Sequence, residues 1–455
     1  MNKSDAIAIY RSGEDATVQI LLEMSAVIEQ LDMPMPANTD HPSTPSGMKP
    51  VYTKPPKRRR HKKPGRKKGH PGSRRKLPDV IHHTRHHTCT HCPNCQKKLP
   101  PSTETRERFT EELPSVGPEV TRHIIDRYWC ADCDKIVEPR VEDALPGATL
   151  GLKTLIYTAW LHYGLGMTLD KIVQLLNISA KFSLTASGLF QAWRNLALLL
   201  MPVYAQIGAL AKGSAVLHAD ETGWRVDGVT HWLWCFTNKN LVYFVIDRSR
   251  GSPVVQKVLG ILFEGTLITD FYAAYNKIVA LSRQKCLAHL FRELIRVDLI
   301  HSSVEWKYFR KKLCRFLKDA LRLDEKESKL SKKKFEYRKK QLHKRLNELA
   351  TATYSDKHAR RLGKRLKKYQ NDILTFLGNP DVDPDNNHGE RQIRPAVIIR
   401  KNIYGNRSKQ GAEIQAVMMS IFRTLHLRKL NPVETLLAIV QLAIRTGAKT
   451  LLPTP

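Results

Sequence analysis

Three carboxylates in this sequence stand in settings that suit metal-assisted chemistry at phosphorus. Asp220 closes an apolar, strand-like run, Ala215-Val-Leu-His-Ala-Asp220, and Glu-Thr-Gly-Trp224 follows it. Asp270 closes a second such run, Gly265-Thr-Leu-Ile-Thr-Asp270, before Phe-Tyr-Ala-Ala-Tyr275. Glu390 lies in Asp385-Asn-Asn-His-Gly-Glu390-Arg-Gln-Ile-Arg394-Pro, the polar opening of a helix-like segment. Carboxylate oxygens are hard, anionic donors suited to Mg²⁺ or Mn²⁺. Two strand-end aspartates and one helical glutamate are expected to hold a pair of such ions, and a pair roughly 3.5–4 Å apart drives in-line displacement at phosphorus. The Asp220 strand is expected in the middle of a sheet with the Asp270 strand beside it, the usual location of sites on open α/β sheets. His289, Arg292, Arg391, Arg394, Arg400 and Lys401 are the candidate phosphate contacts around these acids. For any single cation, a solvated face or a salt-bridge partner is the competing role.

The elements that must position these groups are legible in outline. Residues 150–212 read as helices with few charges. Residues 214–250 switch to alternation and read as an antiparallel three-strand meander, with turns at Asp227-Gly228 and Asn238-Lys-Asn240. A helix-like stretch from Pro253 to Leu259 leads to the Asp270 strand, and Gln284-Lys-Cys-Leu-Ala reads as another short strand. Residues 305–376 are dense in Lys and Arg and read as a helical insertion between the second and third carboxylates. Ala412 to Arg428 is helical, and Asn431-Pro432 caps a last amphipathic helix to about Arg445. Met167–Asn177, capped by Thr168, and Ala186–Leu196 form two short helices joined by a loop. In a basic chain that pattern fits a helix-turn-helix or a plain helical hairpin equally well.

The chain has 455 residues, 75 Lys or Arg against 43 Asp or Glu, and a net charge of +32. A polyanionic partner, nucleic acid, is the simplest reason for that excess. Thirteen Lys or Arg and no acid fall between Lys54 and Lys76. Such an arm should grip phosphates without choosing a sequence. Met1-Asn-Lys-Ser-Asp is a polar start, so no secretory leader is expected. The uncharged stretch Asn195–Ala211 contains Pro202 and reads as buried helix ends around a break, not as a membrane span. The expected location is cytoplasmic, at the nucleoid.

Five of the eight cysteines cluster between positions 89 and 133, which argues for a metal in a reducing compartment and against a disulfide scaffold. Cys92-Pro-Asn-Cys95 and Cys130-Ala-Asp-Cys133 make two Cys-x-x-Cys knuckles, and four thiolates suit one tetrahedral Zn²⁺. Cys89-Thr-His-Cys92 is an alternative first knuckle, and His91 is a competing ligand. Pro93 prearranges the turn between Cys92 and Cys95, which favours that pair.

Taken together, these segments resemble the bacterial insertion-sequence-66 family of transposases. The resemblance rests on Gly65-Arg-Lys-Lys-Gly-His-Pro-Gly72, the two knuckles with Tyr128-Trp129, His218-Ala-Asp220-Glu-Thr and Thr269-Asp270-Phe-Tyr-Ala-Ala-Tyr275. It continues through Cys286-Leu-Ala-His289-Leu-Phe-Arg292, Asn386-Asn-His-Gly-Glu390-Arg391-Gln-Ile-Arg394-Pro and Arg400-Lys401-Asn. It implies a multidomain α+β protein whose RNase H-like α/β core carries a helical insertion, preceded by a zinc-ribbon-like knuckle and helical DNA-binding segments. The expected divisions are an N-terminal amphipathic helix (1–33), a Pro-rich and basic arm (34–79), a zinc-binding region (80–145) and a helix-turn-helix-like segment (150–212). The catalytic core (213–410, insertion about 305–376) and a C-terminal helical region (411–455) follow. The implied activity is DDE strand cleavage at element ends and strand transfer into target DNA by Asp220, Asp270 and Glu390 with two Mg²⁺ or Mn²⁺ ions. It also implies DNA as partner, self-association in a synapse, and companion proteins of the element. Cys89 and the pair His388-Gly389 depart from the family pattern. The rival readings are a zinc-containing DNA-binding protein with an inactive core and a nuclease that cuts without joining.

Overall fold

The computed structural model describes residues 80–91, 93–101, 106–110 and 117–453. The helix expected in 1–33, the arm in 34–79 and Cys92 lie outside the described residues. The chain divides into two units, Lys54–Arg122 with Gln174–Ser183, and Met1–Thr53 with His123–Val173 and Leu184–Pro455.

In the smaller unit a turn follows position 92. His91 bridges Lys98, the Leu99 N–H donates to the Thr90 carbonyl at 2.9 Å, and Gln96 takes a left-handed φ of 59°. In the larger unit the second knuckle is a hairpin of β1 (Tyr128–Cys130) and β2 (Lys135–Val137), with Cys130 opposite Lys135 and Asp134 at φ 50°. Each chain reversal therefore places a left-handed residue directly after the second cysteine of its motif.

The helices before the sheet are α1 (Leu152–Ala159), continued by a π-helical turn at Trp160–Gly164, then α2 (Leu169–Ser179), α3 (Ala186–Leu199) and α4 (Met201–Lys212). Thr185 caps α3 by accepting from the Gly188 N–H. Trp193 and Leu196 of α3 are fully buried, as their spacing requires, and the Trp193 indole donates to Thr158 of α1 at 3.0 Å. The expected break in Asn195–Ala211 is the junction of α3 and α4. Among the described residues no single helix is long and apolar enough to cross a membrane; only this pair passes together, and it is bent by 53°.

The sheet is β3 (Val216–Val226), β4 (Val229–Thr237), β5 (Val242–Asp247), β6 (Leu262–Thr269) and β7 (Val279–Lys285), with α5 (Ser252–Leu259) between β5 and β6. Its order is β5-β4-β3-β6-β7. β3, β4 and β5 form the expected antiparallel meander, whereas β6 runs parallel to β3, and β7 to β6. The last strand begins earlier than its Gln284-Lys-Cys-Leu-Ala pattern suggests and ends at Lys285, because Leu287 already opens a helix. β3 and β6 approach closely at Gly265, where a Cβ would meet the Ser214 carbonyl at 2.3 Å.

Seven helices follow β7 as far as the C-terminal tail if short 3₁₀ turns are set aside: α6 (Leu287–Asp298), α7 (Val304–Asp324), α8 (Lys332–Thr351), α9 (Lys357–Lys368), α10 (Asn387–Ile403), α11 (Lys409–Leu427) and α12 (Pro432–Thr446). The insertion is a folded body. Trp306, Phe316 and Leu317 of α7, Leu342 and Leu346 of α8 and Leu362 of α9 pack into one buried cluster that reaches Leu290 of α6 and Ile268 of β6. Buried Glu293 of α6 pairs with Arg361 and Arg365 of α9, tying the insertion to the helix beside the site. The insertion is thus continuous with the strand that carries Asp270.

On the opposite edge, β5 would expose unpaired backbone groups. Helix α11 covers them. Its Ser420 hydroxyl accepts from the Phe244 N–H at 2.9 Å, and Thr424 accepts from the Val242 N–H at 3.0 Å. Two hydroxyls one turn apart on a buried helix replace a sixth strand.

Candidate active site

Asp220 lies within β3, not at its end as its sequence context suggests, because the strand continues to Val226, paired with β4 and bridged at its last residue to Asn406. What ends near Asp220 is the pairing with β6. The parallel register couples Val216 with Thr266, Leu217 with Leu267 and His218 with Ile268. The same offset sets Asp220 opposite Asp270, one residue beyond the end of β6. The two aspartates therefore occupy one row on neighbouring strands, and such strands lie about 4.8 Å apart.

Glu390 comes to this row on the first turn of α10, which lies along β3 and β4. Asn386, almost wholly buried just before the helix, donates its amide to the Ala219 carbonyl at 2.9 Å and meets His218 Nδ1 at 3.0 Å. Its backbone N–H donates to Cys286 Sγ at 3.1 Å, and its carbonyl accepts the Glu390 N–H. His388 adds a bond to the Asn238 carbonyl at 2.8 Å. Gly389 leaves room for this anchor, since a Cβ there would meet the Asn386 side chain at 2.9 Å. At the far end of α10, Arg400 donates to Thr222 and to the Gly223 carbonyl of β3. Asn406 exchanges backbone bonds with Arg225 and Asp227 and accepts from the Trp224 indole at 2.8 Å. The helix is clamped to the Asp220 strand at both ends, and that clamp sets the position of Glu390.

The electrostatics separate the acids. Burial pushes Asp220 well above the usual carboxylate range, and repulsion from Glu221, Asp270 and Glu390 adds to it. Among the described residues its carboxylate accepts the Glu221 N–H at 3.0 Å, while the acids around it repel. Glu221, which the motif reading passed over, is buried and raised to about 7, first by burial and then by Asp270. It is nevertheless neutralised from within. Arg250 donates to it at 2.8 Å, held between the rings of Trp232 and Tyr272, and the Tyr275 hydroxyl donates to its other oxygen. Asp270 accepts the Tyr272 N–H at 2.8 Å. Behind it, wholly buried Lys285 donates to Thr269 Oγ1 and to the Asp270 carbonyl, both at 2.9 Å, and burial holds its ammonium down to about 8. A lysine inside a strand gives no periodic signal, so Lys285 was not legible in the pattern.

The six candidate cations divide into four groups. Arg292 of α6 forms a bidentate pair with Glu390, at 2.8 and 2.9 Å, and so is engaged by the acid, although its side chain stays 42% exposed. Arg400 is spent on β3. Arg391, Arg394 and Lys401 are exposed on α10. His289 faces the site, with Nδ1 at 3.9 Å from Glu390, and burial lowers its pKa.

A row of two aspartates on the central strands, a helical glutamate clamped beside them and a cationic surround are what a metal-dependent phosphoryl-transfer site requires. Comparison with known families gives the chain a lineage: residues 147–414, more than half of its length, match the model of the transposase IS66 family. The chain belongs to the IS66 transposase family. Residues 90–134 match the zinc-finger binding domain of transposase IS66, which starts one residue after Cys89 and contains both Cys-x-x-Cys pairs. No curated protein matches the chain in sequence.

Proposed function

We propose that this IS66 transposase cleaves DNA strands at the ends of its element and joins them to target DNA, with Asp220, Asp270 and Glu390 as the DDE carboxylates of an RNase H-like core. The observation that carries the proposal is the shared row of Asp220 and Asp270 on parallel neighbours, with Glu390 pinned beside it through Asn386. The sheet order, with the Asp220 strand central and an antiparallel meander on one side, supports the RNase H-like reading. The donor set fits Mg²⁺ or Mn²⁺, since Asp220 is an oxygen ligand that repelling acids surround, while Arg250 already balances Glu221. When bound, two such ions activate the attacking oxygen and stabilise the departing one. The chain's own part is to hold the acids in register and to aim Arg391, Arg394 and Lys401 at DNA phosphates. His289, Arg292 and Arg400 serve the same surround, Arg292 by holding Glu390. Helices α2 and α3 would act as the helix-turn-helix-like reader and the basic arm as a sequence-indifferent phosphate grip. The synapse would form by self-association, with companion proteins of the element as further candidate partners.

Cys92, Cys95, Cys130 and Cys133 are proposed to bind one Zn²⁺. The left-handed residues after Cys95 and Cys133 support those pairs, as does the family match that leaves out Cys89. Cys130→Ser should then lose this zinc, and full zinc in that variant overturns the site; loss of zinc in Cys89→Ser but not in Cys95→Ser reassigns the first knuckle.

The test of function is cleavage and joining of the element's own ends in one preparation. Wild type with Mg²⁺ should do both. Asp220→Asn should bind the ends in a band-shift and do neither. Cleavage without joining would favour the nuclease reading, and full transfer by Asp220→Asn would place the chemistry elsewhere.

A further inference from the structure

We propose that Cys286, His289 and Glu390 form a second metal site, which takes a thiophilic divalent ion such as Zn²⁺ and shares Glu390 with the carboxylate site. Cys286 is the residue before α6, His289 lies one turn along that helix, and Glu390 is on the first turn of α10. Their sulfur, imidazole nitrogen and carboxylate oxygen all lie within 4.8 Å of one another. His289 Nδ1 and the nearer Glu390 oxygen are 3.9 Å apart. Zinc bonds of about 2.3 Å to sulfur and 2.0–2.2 Å to nitrogen and oxygen hold tetrahedral donors roughly 3.3–3.7 Å apart. Side-chain adjustments of an ångström or less therefore close the site.

An independent observation points to the same ligand. His289 Nδ1 is buried and has no hydrogen-bond partner among the described residues. Buried ring nitrogens are ordinarily satisfied, and this one sits among a thiol and a carboxylate. Arg292 bonds both Glu390 oxygens, yet each carboxylate oxygen keeps a second lone pair for an ion. Sulfur and imidazole select Zn²⁺ over Mg²⁺. On binding, the Cys286 thiol gives its proton to solvent and coordinates as thiolate. One consequence rests on the proposed catalytic role of Glu390: zinc held here draws that carboxylate away from the Asp220–Asp270 pair and inhibits Mg²⁺-dependent cleavage.

The test is zinc content after equilibrium dialysis of the full chain, with Co²⁺ as a spectroscopic substitute. Cys286→Ser keeps an acceptor for the Asn386 N–H. It should bind one equivalent less zinc than wild type and lose part of the sulfur-to-cobalt charge-transfer absorption, and His289→Gln should bind one equivalent less as well. Equal zinc in wild type and His289→Gln overturns the site, and that variant decides the matter if Cys286→Ser fails to fold. If both variants lose the equivalent but zinc leaves wild-type cleavage untouched, the metal site stands and the catalytic assignment of Glu390 fails.

Discussion

Replacing Asp220 by Asn should make the metal-free protein more stable and the metal-loaded one less so. Asp220 and Asp270 share a row on adjacent parallel strands. Two unit charges about 5 Å apart at an effective dielectric of about 20 repel by about 3 kcal/mol. Burial and the neighbouring acids push Asp220 well above the usual carboxylate range, so its tendency to stay protonated offsets part of that repulsion. The expected gain for Asp220→Asn in chelator at pH 8 is therefore about 1–3 kcal/mol. The amide keeps the bond from the Glu221 N–H, so little is lost locally. The pH dependence has a definite sign. Glu221 rises from its usual 4.5 to about 7. A raised carboxylate contributes stability that is full below its unfolded value and is lost as pH climbs through the folded one. For Glu221 the loss is about 3 kcal/mol between pH 4.5 and 7. Wild type in chelator should accordingly weaken from pH 5 to pH 8. Mn²⁺ at about a hundred times its dissociation constant should restore about 3 kcal/mol, an increment that Asp220→Asn should mostly lack. Thermal melts give the sign, and amide exchange along β3 isolates the sheet from the rest of a multi-unit chain. A variant less stable than wild type in chelator, or one with an undiminished Mn²⁺ increment, would refute the shared-cation argument.

Three further outcomes follow from the clamps. Asn386→Ala removes both the bond to the Ala219 carbonyl and the His218 contact. It should cost about 2 kcal/mol in melting and lower strand cleavage by roughly a hundredfold through displacement of Glu390; wild-type cleavage would show that the anchor is dispensable. Ser420→Ala with Thr424→Val strips the β5 edge of its two acceptors. It should cost about 1–3 kcal/mol per orphaned N–H, read as faster exchange at Val242 and Phe244. Asp356, at the start of α9, is held well below the usual carboxylate range: although burial opposes it, bonds from Ser303, Ala359, His301 and His358 prevail. Its contribution is present above about pH 4 and lost as pH falls further, so Asp356→Asn should destabilise at pH 7 and matter progressively less below pH 4, as acid melts of the two proteins would show.

Much of the site was legible because strands and helices leave periodic marks. The meander from Asp220 onward, the capped α12 and the helical insertion follow from alternation, turn residues and apolar spacing. The two aspartates stood out because a charged residue interrupts an apolar run. Other features depend on contacts between residues far apart in sequence, which no local pattern records. Register is one: nothing in either run states that Val216 faces Thr266, and a one-residue slip would have turned Asp220 and Asp270 to opposite faces. Partner choice is another. Sequence offers Arg292 and Arg400 as phosphate contacts, but folding places one on Glu390 and the other on β3. It also neutralises Glu221 with Arg250 and leaves Asp220 among repelling acids. The sequence by itself determined which residues are candidates for the chemistry, since residue type sets ligand and charge. Tertiary structure alone decided which acid is balanced from within and which is left among repelling acids, because that depends on burial and on distances across the sheet.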